Sequence, residues 1–278
     1  MLTNQMMGPM TPSLLTFLGP VVERYAVNTE PERLFTAGST GISWGRCCAR
    51  VPSCPPKRPR SMGARGLRMQ DFSSSAYWNK VYASDEDGGA FDGEHVSEWH
   101  VDGELMVEAV DRLLGDGSVA TWKEELAVLN VGCGKSTLWE SMYDHGWRNI
   151  TNIDFSTTCI EQGRQSRSSR SRPGVRWIVM DACSMAFEDD SFDVAVDKGT
   201  MDAIACSEAF DWCLPRMARG IVRVLRPGGT WVCVSFTPPK IAMPLLDCEE
   251  WSVHVERLES FWMYVGRKPF TARPEGLD

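Results

Sequence analysis

In the stretch "VLNVGCGKST" (Val128–Thr137), small apolar residues run into a glycine-containing turn, and this limits the folds that the chain can adopt. Such a pattern is typical of a buried strand that turns tightly into a helix. A phosphate-binding loop would need a glycine at position 129, where this sequence has Leu. The dinucleotide fingerprint lacks its third glycine, because Thr137 stands there. The remaining Gly132-x-Gly134 turn predicts either a ligand site at a helix start or a purely structural turn.

Strand and helix patterns alternate after this turn. The predicted strands are 127–131, 149–155, 175–181, 192–199 and 230–236, and "RPGG" is predicted to turn into the last of them. Helices are predicted at 136–145, from Thr157 after a Ser156 cap, and from Pro215 to 226. Two further strands, 251–258 and 261–268, predict an antiparallel hairpin. The fold class is therefore α/β, a doubly wound, mostly parallel sheet with a C-terminal antiparallel hairpin and a ligand site at the strand carboxyl ends.

The chain before this core divides near residue 71. Residues 1–70 are rich in Met, Pro, Gly and Arg without periodicity, which predicts a disordered or leader segment, and 71–278 form the folded domain. Within the leader, "PPKRPR" is typical of either a nuclear signal or a solvated basic linker. Short helices are predicted around 77–82 and 105–114. The segment "RQSRSSRSRPG" (164–174) predicts a mobile basic loop.

Composition restricts the class of partner. Residues 1–70 carry nine basic and three acidic side chains, whereas 71–278 carry 20 basic and 34 acidic ones, a net charge of −14. An acidic folded part argues against nucleic acid as the main partner. The sequence has no apolar run long enough to span a bilayer, and its ten cysteines include no C-x-x-C pair, so a soluble protein with reduced thiols is expected. We expect a cytoplasmic monomer, or an organellar protein if the leader is a transit peptide.

Three carboxylates lie at the ends of successive predicted strands. Asp154 lies 22 residues after Gly132, the spacing at which an acid reaches the two hydroxyls of an adenosine ribose. Asp181 is placed to accept a hydrogen bond from an adenine amino group, and Asp197, next to Lys198, would lie over the reacting group. A single Asp at a strand end is more often a helix cap or turn former than a ligand contact. All three at successive strand ends predict a nucleoside-containing ligand.

A family resemblance rests on an ordered set of motifs. "VLNVGCGKS", "NIDFS", "VMDAC", "FDVAVDKGTMDA" and "VLRPGGTWVCVSF" together resemble a class I S-adenosylmethionine-dependent methyltransferase, and the match covers about 77–268. "YWNKVY", "DKGTMDA" and the closing "WSVHVERL…FWMYVGRK" are similar to the eukaryotic elongation factor 1A lysine methyltransferases and their relatives. The resemblance implies a Rossmann-like, seven-stranded sheet.

The resemblance also implies a cofactor, S-adenosylmethionine, and its contacts. Together with the glycine turn, it places cofactor binding on Trp78, Tyr82, Gly132, Gly134, Asp154, Phe155, Asp181, Ala182 and Lys198. One further aromatic contact, in a Tyr/Phe-Asp/Glu-Trp pattern, corresponds to either Phe91 or Trp99. The basic segment at 164–172 and the long leader depart from the family pattern.

The implied reaction is methyl transfer to a lysine of a basic protein, with an elongation factor 1A-type translation factor as the first candidate. This in-line displacement needs no metal, and none of the four histidines (His95, His100, His145 and His254) is paired at metal-ligand spacing. Asp197 is the candidate for orienting the acceptor amine. A small-molecule methyltransferase and an inactive methyltransferase-fold binding module are the alternatives. A nicotinamide oxidoreductase is disfavoured by the missing third glycine.

Overall fold

The computed structural model describes residues 72–83, 98–115, 123–207 and 209–270, and the structural statements below concern these residues. The strands are β1 Ala127–Val131, β2 Asn149–Asp154, β3 Val175–Val179, β4 Phe192–Lys198, β5 Leu225–Ser235, β6 Ser252–Leu258 and β7 Phe261–Arg267. The helices are α1 Ser75–Ala83, α2 Gly103–Leu114, α3 Leu138–Asp144, α4 Thr157–Gln165, α5 Arg167–Arg170, α6 Thr200–Ala205, α7 Phe210–Val224 and α8 Pro239–Leu246. A 3₁₀ helix spans Ala182–Ser184.

The seven strands form one sheet in the order β3-β2-β1-β4-β5-β7-β6. The first five strands are parallel, whereas β7 pairs antiparallel with both β5 and β6. Val128 of β1 lies opposite Ile150 of β2 on one side and Val194 of β4 on the other. The strand order therefore reverses between β1 and β4, where open α/β sheets place their ligands. The predicted doubly wound fold with a terminal hairpin is confirmed.

Helices cover both faces of the sheet, because each strand presents alternate side chains to opposite sides. One apolar cluster joins the sheet to α6, α7 and α8, and it includes Leu129 and Ala195. The other cluster joins it to α2, α3 and α4, and it includes Val128 and Val194. The central strand β1 is buried along its whole length. Within the part of the chain that the structure describes, no helix combines the length and apolar character needed to cross a membrane.

Helix α7 differs from the prediction that Pro215 lies in the first turn of a helix. It begins at Phe210, so Pro215 is an internal residue. Proline cannot donate the backbone hydrogen bond expected at an internal position, which normally destabilises a helix. Here the apolar side chains of Leu214, Met217 and Ile221 are completely buried against the sheet. This burial stabilises the helix on both sides of Pro215. A local sequence rule does not take such packing into account.

The segment "RPGG" was predicted to turn before a strand, and that prediction is wrong. Strand β5 already begins at Leu225, and its pairing with β4 shifts register between the Phe192–Leu225 pair and the Val194–Thr230 pair. Gly228 has φ of +85°, which a β-bulge can require and which glycine adopts without strain. The segment is therefore a bulge inside a long strand.

The basic segment 164–174 is also more ordered than predicted. Its first residues belong to α4, and the short helix α5 follows directly. The buried hydroxyl of Ser166 caps α5 by accepting a hydrogen bond from Ser169 N at 3.1 Å. Trp177 Nε1 in turn donates to Ser169 Oγ at 2.7 Å. The prediction of a mobile loop is therefore wrong. Helix α8 was not predicted, and the segment 1–70 lies outside the described residues.

Candidate functional site

A cavity opens at the carboxyl ends of the central strands, where the strand order reverses. Its walls come from α1, from the turn after β1, from the ends of β2 and β4, and from the 3₁₀ helix. The lining residues include all nine predicted cofactor contacts, namely Trp78, Tyr82, Gly132, Gly134, Asp154, Phe155, Asp181, Ala182 and Lys198. The fold therefore brings together residues that are up to 120 positions apart in the sequence.

The glycine turn forms the floor of this cavity. Gly132 and Gly134 have φ of +59° and +51°, the left-handed region that side chains disfavour. A Cβ atom on Gly132 would lie 2.0 Å from Thr200 Oγ1, which donates a hydrogen bond to Val131 O at 2.8 Å. A Cβ on Gly134 would lie 3.1 Å from the hydroxyl of Tyr82. Conformation and space thus both favour glycine here, so a ligand can lie against bare backbone.

Asp154 is the buried anion of the site. It is 6% exposed, and its two oxygens accept hydrogen bonds from Gly134 N at 3.1 Å and Ser156 N at 2.8 Å. Burial raises the pKa of Asp154 to about 6, and the two backbone donors only partly offset that effect. A carboxylate accepts about four hydrogen bonds, so this one retains capacity for ribose hydroxyls.

Asp181 and its neighbours form another part of the wall. The Asp181 carboxylate accepts a hydrogen bond from Cys183 N at 2.8 Å and so caps the 3₁₀ helix. Ala182 follows it in the lining, and Phe155 enters the lining after β2. Asp181 therefore acts as a cap and also lines the cavity, so its two proposed roles are compatible.

Lys198 is held by Glu98, a residue for which the sequence predicts no role. Its ammonium donates to the Glu98 carboxylate and, at 3.0 Å, to Trp99 O. Glu98 also accepts from Thr137 N at 2.7 Å and from the Thr137 and Ser136 hydroxyls. Burial lowers the pKa of Lys198, while Glu98 counteracts that shift. One feature of the sequence could have indicated Glu98: it precedes Trp99, as the acidic residue precedes Trp in the family's Tyr/Phe-Asp/Glu-Trp pattern.

Aromatic rings cover one side of the cavity. Trp78 and Tyr82 stack with centroids 5.5 Å apart, and Trp78 lies 5.9 Å from Trp99. Trp99 lines the cavity, whereas Phe91 lies outside the described residues. Of the two alternatives for the additional aromatic contact, the structure therefore places Trp99 in the site.

Asp197 does not line the cavity, in contrast to its predicted position over the reacting group. Its side chain is completely buried and accepts a hydrogen bond from Thr200 N at 2.9 Å. Burial, with a smaller effect of nearby Asp202, raises the pKa of Asp197 to about 7. The carboxylate thus fixes the turn into α6, and the geometry gives no support to its role in orienting the acceptor.

Asp202, for which the sequence also predicts no role, organises a buried polar network. It accepts hydrogen bonds from His100 Nε2, from Ser235 Oγ at 2.7 Å and from both the backbone N and the hydroxyl of Thr237. These donors lower the pKa of Asp202, overcoming the opposite effect of burial. The His100 side chain is almost fully buried and pairs with Asp202, so this histidine has a structural role. The network gives a structural role to Asp202, the second aspartate of "DKGTMDA".

Metal-ligand atoms come together once among the described residues. Cys133, Asp154 and Cys159 are buried, and one potential ligand atom from each lies within 4.8 Å of the others. However, Cys159 Sγ donates to Gly134 O at 3.1 Å, and both Asp154 oxygens already accept backbone N–H groups. Of the histidines, His145 pairs with Glu104, His254 is exposed, and His95 lies outside the described residues.

Together, a bare glycine turn, a buried carboxylate and an aromatic wall fit a nucleoside with an attached amino-acid tail. The fold and this cavity define a class I S-adenosylmethionine-dependent methyltransferase domain, and S-adenosylmethionine is its cofactor. Residues 129–233 match the family model described as "Methyltransferase domain". Within this class, the chain resembles the eEF1A lysine and N-terminal methyltransferases.

The curated relatives document this resemblance. The eEF1A lysine and N-terminal methyltransferase of Danio rerio is 33% identical over 192 residues, which are 68% of this chain and 25% of the relative. The Homo sapiens protein of the same name is 31% identical over 194 residues, 68% of this chain and 26% of the relative. The chain thus spans about a quarter of their length. Methyltransferase srdJ of Neurospora crassa is 29% identical over 64% of this chain and 72% of the relative.

The solved structures support the fold. One described as "Conversion of a Disulfide Bond into a Thioacetal Group during Echinomycin Biosynthesis" has a TM-score of 0.51 and 17% sequence identity. The match covers 71% of this chain and 94% of that chain. At this identity, the similarity concerns the architecture alone.

Proposed function

We propose that this chain transfers a methyl group from S-adenosylmethionine to a lysine side chain of a protein similar to elongation factor 1A. The observation that carries the proposal is the 33% identity to a named eEF1A lysine and N-terminal methyltransferase over 68% of the chain. That similarity comes with a cavity that contains every predicted cofactor contact.

The residues present are suited to binding and alignment. When bound, the cofactor supplies an electrophilic methyl group on its sulfonium. The glycine turn and Asp154 would hold the nucleoside, while Trp78, Tyr82 and Trp99 would exclude water from the reacting atoms. A lysine attacks only as the neutral amine, and an apolar aromatic wall favours that form by disfavouring charge. No side chain of this chain needs to form a covalent intermediate.

Charge supports a basic protein as the acceptor. Residues 71–278 carry a net charge of −14. Such a charge attracts a basic partner over long range and increases the association rate, and salt weakens the attraction. We therefore expect methylation of a folded basic protein to slow as ionic strength rises from about 0.05 to 0.5 M.

The direct test uses the full chain with methyl-tritiated S-adenosylmethionine and purified elongation factor 1A, followed by mapping of the modified residue by mass spectrometry. We expect label on a lysine, and an initial rate that rises from pH 7 to 9 as more amine is neutral. Asp154→Ala serves as the cofactor-binding control and should lose activity. A parallel incubation uses a cell lysate as the source of acceptors. Label only on small metabolites of that lysate would contradict the proposal and favour a small-molecule methyltransferase. An absence of transfer with intact cofactor binding would favour the binding module.

A second candidate acceptor is the α-amine at a protein N-terminus, because the relatives' names include N-terminal methylation. The two amines differ in their reference pKa values, about 8 for the α-amine and about 10.4 for lysine. An α-amine should therefore give a rate that levels off near pH 8, whereas a lysine rate should continue to rise. Residue mapping separates the two candidates directly.

We further propose that the protein is a cytoplasmic monomer. The choice of a translation factor as acceptor supports that location, and so do the seven cysteines that are free in the described part of the chain. Imaging of the tagged full chain and sedimentation of the purified protein test these two points. Import into an organelle would instead assign the leader as a transit peptide.

A further inference from the structure

Two cysteines in the cavity wall have no role in the proposed methyl transfer. Cys183 lies in the 3₁₀ helix directly after Asp181 and Ala182, and Cys213 lies in the first turns of α7. Both line the cofactor cavity, and both are partly exposed. Their thiols are close enough for each to change the pKa of the other. They come from elements that pack together although they are 30 residues apart in the sequence.

We propose that Cys183 and Cys213 form an oxidisable thiol pair in the cavity wall, which a peroxide converts to an intramolecular disulfide and which bound cofactor shields. The proposal concerns a modification site and is independent of the acceptor that the enzyme methylates.

The surroundings of Cys213 favour a reactive thiolate. The Cys183 thiol and, to a smaller extent, the Arg216 guanidinium lower the pKa of Cys213, against the opposing effects of burial and Asp181. Arg216 is held in place by a hydrogen bond to Cys183 O at 3.3 Å and by its position over the Trp212 ring, 4.5 Å from the centroid. The thiolate is the nucleophilic form of cysteine, and the positive charge of Arg216 favours it at Cys213, so the first step is assigned to Cys213.

A second close pair, Cys133 and Cys159, provides an internal comparison. Both are buried; the interaction with Cys133, together with burial, raises the pKa of the Cys159 thiol, and burial raises that of Cys133. Cys159 already donates its S–H to Gly134 O. Buried thiols with raised pKa values react slowly with oxidants. Proximity alone therefore does not distinguish the two pairs, whereas exposure and charge do.

The reaction needs only a peroxide as oxidant. The Cys213 thiolate attacks one peroxide oxygen, the O–O bond breaks, and the released hydroxide takes a proton to become water. The resulting sulfenic acid is attacked by the Cys183 sulfur, an S–S bond forms and the S–O bond breaks. The leaving oxygen departs as water with the Cys183 proton. Two thiols and one hydrogen peroxide thus give one disulfide and two water molecules.

Cofactor binding and oxidation should oppose each other because they involve the same wall. Asp181 accepts a hydrogen bond from Cys183 N, so a shift of Cys183 toward Cys213 would also move the predicted adenine contact. If only the free protein reacts, a ligand at ten times its Kd should slow the oxidation about tenfold. The disulfide form should correspondingly bind the cofactor more weakly.

The test treats the full chain with hydrogen peroxide, with and without S-adenosylhomocysteine, then blocks free thiols with iodoacetamide and digests without reduction. Trypsin should release residues 177–198, which contain Cys183 alone, and residues 199–216, which contain Cys206 and Cys213. We expect these two peptides to be cross-linked through Cys213, as assigned by fragmentation. We also expect S-adenosylhomocysteine to slow the cross-link and oxidised protein to bind it less tightly by calorimetry.

Matched variants sharpen the result. Cys213→Ser should abolish the cross-link, whereas Cys248→Ser, which removes another partly exposed thiol outside the cavity lining, should leave it unchanged. A cross-link through Cys206, a faster reaction between Cys133 and Cys159, or a rate unaffected by S-adenosylhomocysteine would overturn the proposal. These measurements on the wild-type chain do not depend on how the variants fold or on methyl transfer.

Discussion

We expect the side chain of Asp154 to couple ionisation to ligand binding. Its carboxylate is buried beside the glycine turn, with a pKa of about 6. Ribose hydroxyls donate well to the ionised form and poorly to the protonated one. Binding should therefore favour ionisation, so affinity and pH become linked in the range just below neutrality.

The first prediction is that S-adenosylhomocysteine binding weakens as pH falls below about 6, by up to about tenfold per pH unit. Affinity falls with pH because protonation removes the hydrogen-bond acceptor. The raised pKa of Asp154 sets the pH range in which this loss occurs. Calorimetry between pH 5 and 8 measures the profile. Affinity that stays constant across this range would contradict the assignment of Asp154.

The second prediction is that Asp154→Ala weakens S-adenosylhomocysteine binding tenfold or more at pH 8, since hydroxyls buried without an acceptor cost about 1–3 kcal/mol. The matched control is Asp144→Ala, which removes an exposed carboxylate outside the cavity lining and should leave affinity unchanged. Circular dichroism verifies that both variants are folded. Equal affinities for the two variants would reject Asp154 as a cofactor contact.

The third prediction concerns Asp197, whose folded-state pKa of about 7 lies above the reference value near 3.8. The unfolded chain releases this proton first, so the carboxyl group destabilises the folded protein progressively as pH rises from about 4 to 7. Asp197→Asn removes this effect while keeping an oxygen that can accept from Thr200 N. Its stability relative to wild type should increase by about 2 kcal/mol between pH 5.5 and 8.

Urea unfolding at the two pH values measures that difference. Constant relative stability would show that Asp197 is already ionised at pH 5.5. A loss of methyl transfer in this variant, with normal folding and cofactor binding, would instead restore the acceptor-orienting role.

At the level of elements, Asp202 joins α6 to the end of β5 and to the segment around His100. The fourth prediction is that Asp202→Ala destabilises the protein by about 3–5 kcal/mol, because several buried donors lose their common acceptor. Thermal unfolding measures the change. The control is Asp211→Ala in the first turn of α7, which should have a much smaller effect. Similar melting temperatures for both variants would contradict the network's structural role.

Local sequence patterns identified the elements better than their ends. The strands were predictable because short apolar runs between turn residues leave few alternatives, and β1 matches at both boundaries. Pro215 and the glycines of "RPGG" were misread because burial by the sheet and pairing with β4 overrode their local preferences. Such tertiary effects involve residues far away in the sequence, and no local pattern encodes them.

At the level of the whole molecule, the site was predictable in part. The nine predicted cofactor contacts fall in one cavity because the strand order fixes where the turns after β1, β2 and β4 meet. Glu98 and Lys198 were not paired in advance, since 100 residues separate them and nothing local links them. The fold class was therefore easier to predict than the long-range side-chain contacts within the site, such as the Glu98–Lys198 pair.

The fifth prediction concerns domain organisation. Deletion of residues 1–70 should leave S-adenosylhomocysteine affinity unchanged, because the described cavity is lined entirely by residues from Phe72 onward. Deletion through residue 83 provides the contrast, since it also removes Trp78 and Tyr82 and should weaken binding. Calorimetry on both truncated proteins checks the boundary. A first truncation that fails to fold would place the start of the domain earlier.

The position of β1 has a consequence for the order of folding. β1 can pair with β2 soon after both are formed, but its other edge stays open until β4 docks. The glycine turn also needs that docking, since Thr200 follows β4 and bonds to Val131 O. The cofactor can therefore recognise the chain only after β1, β2 and β4 have paired. Cofactor should slow unfolding while leaving the rate of refolding almost unchanged.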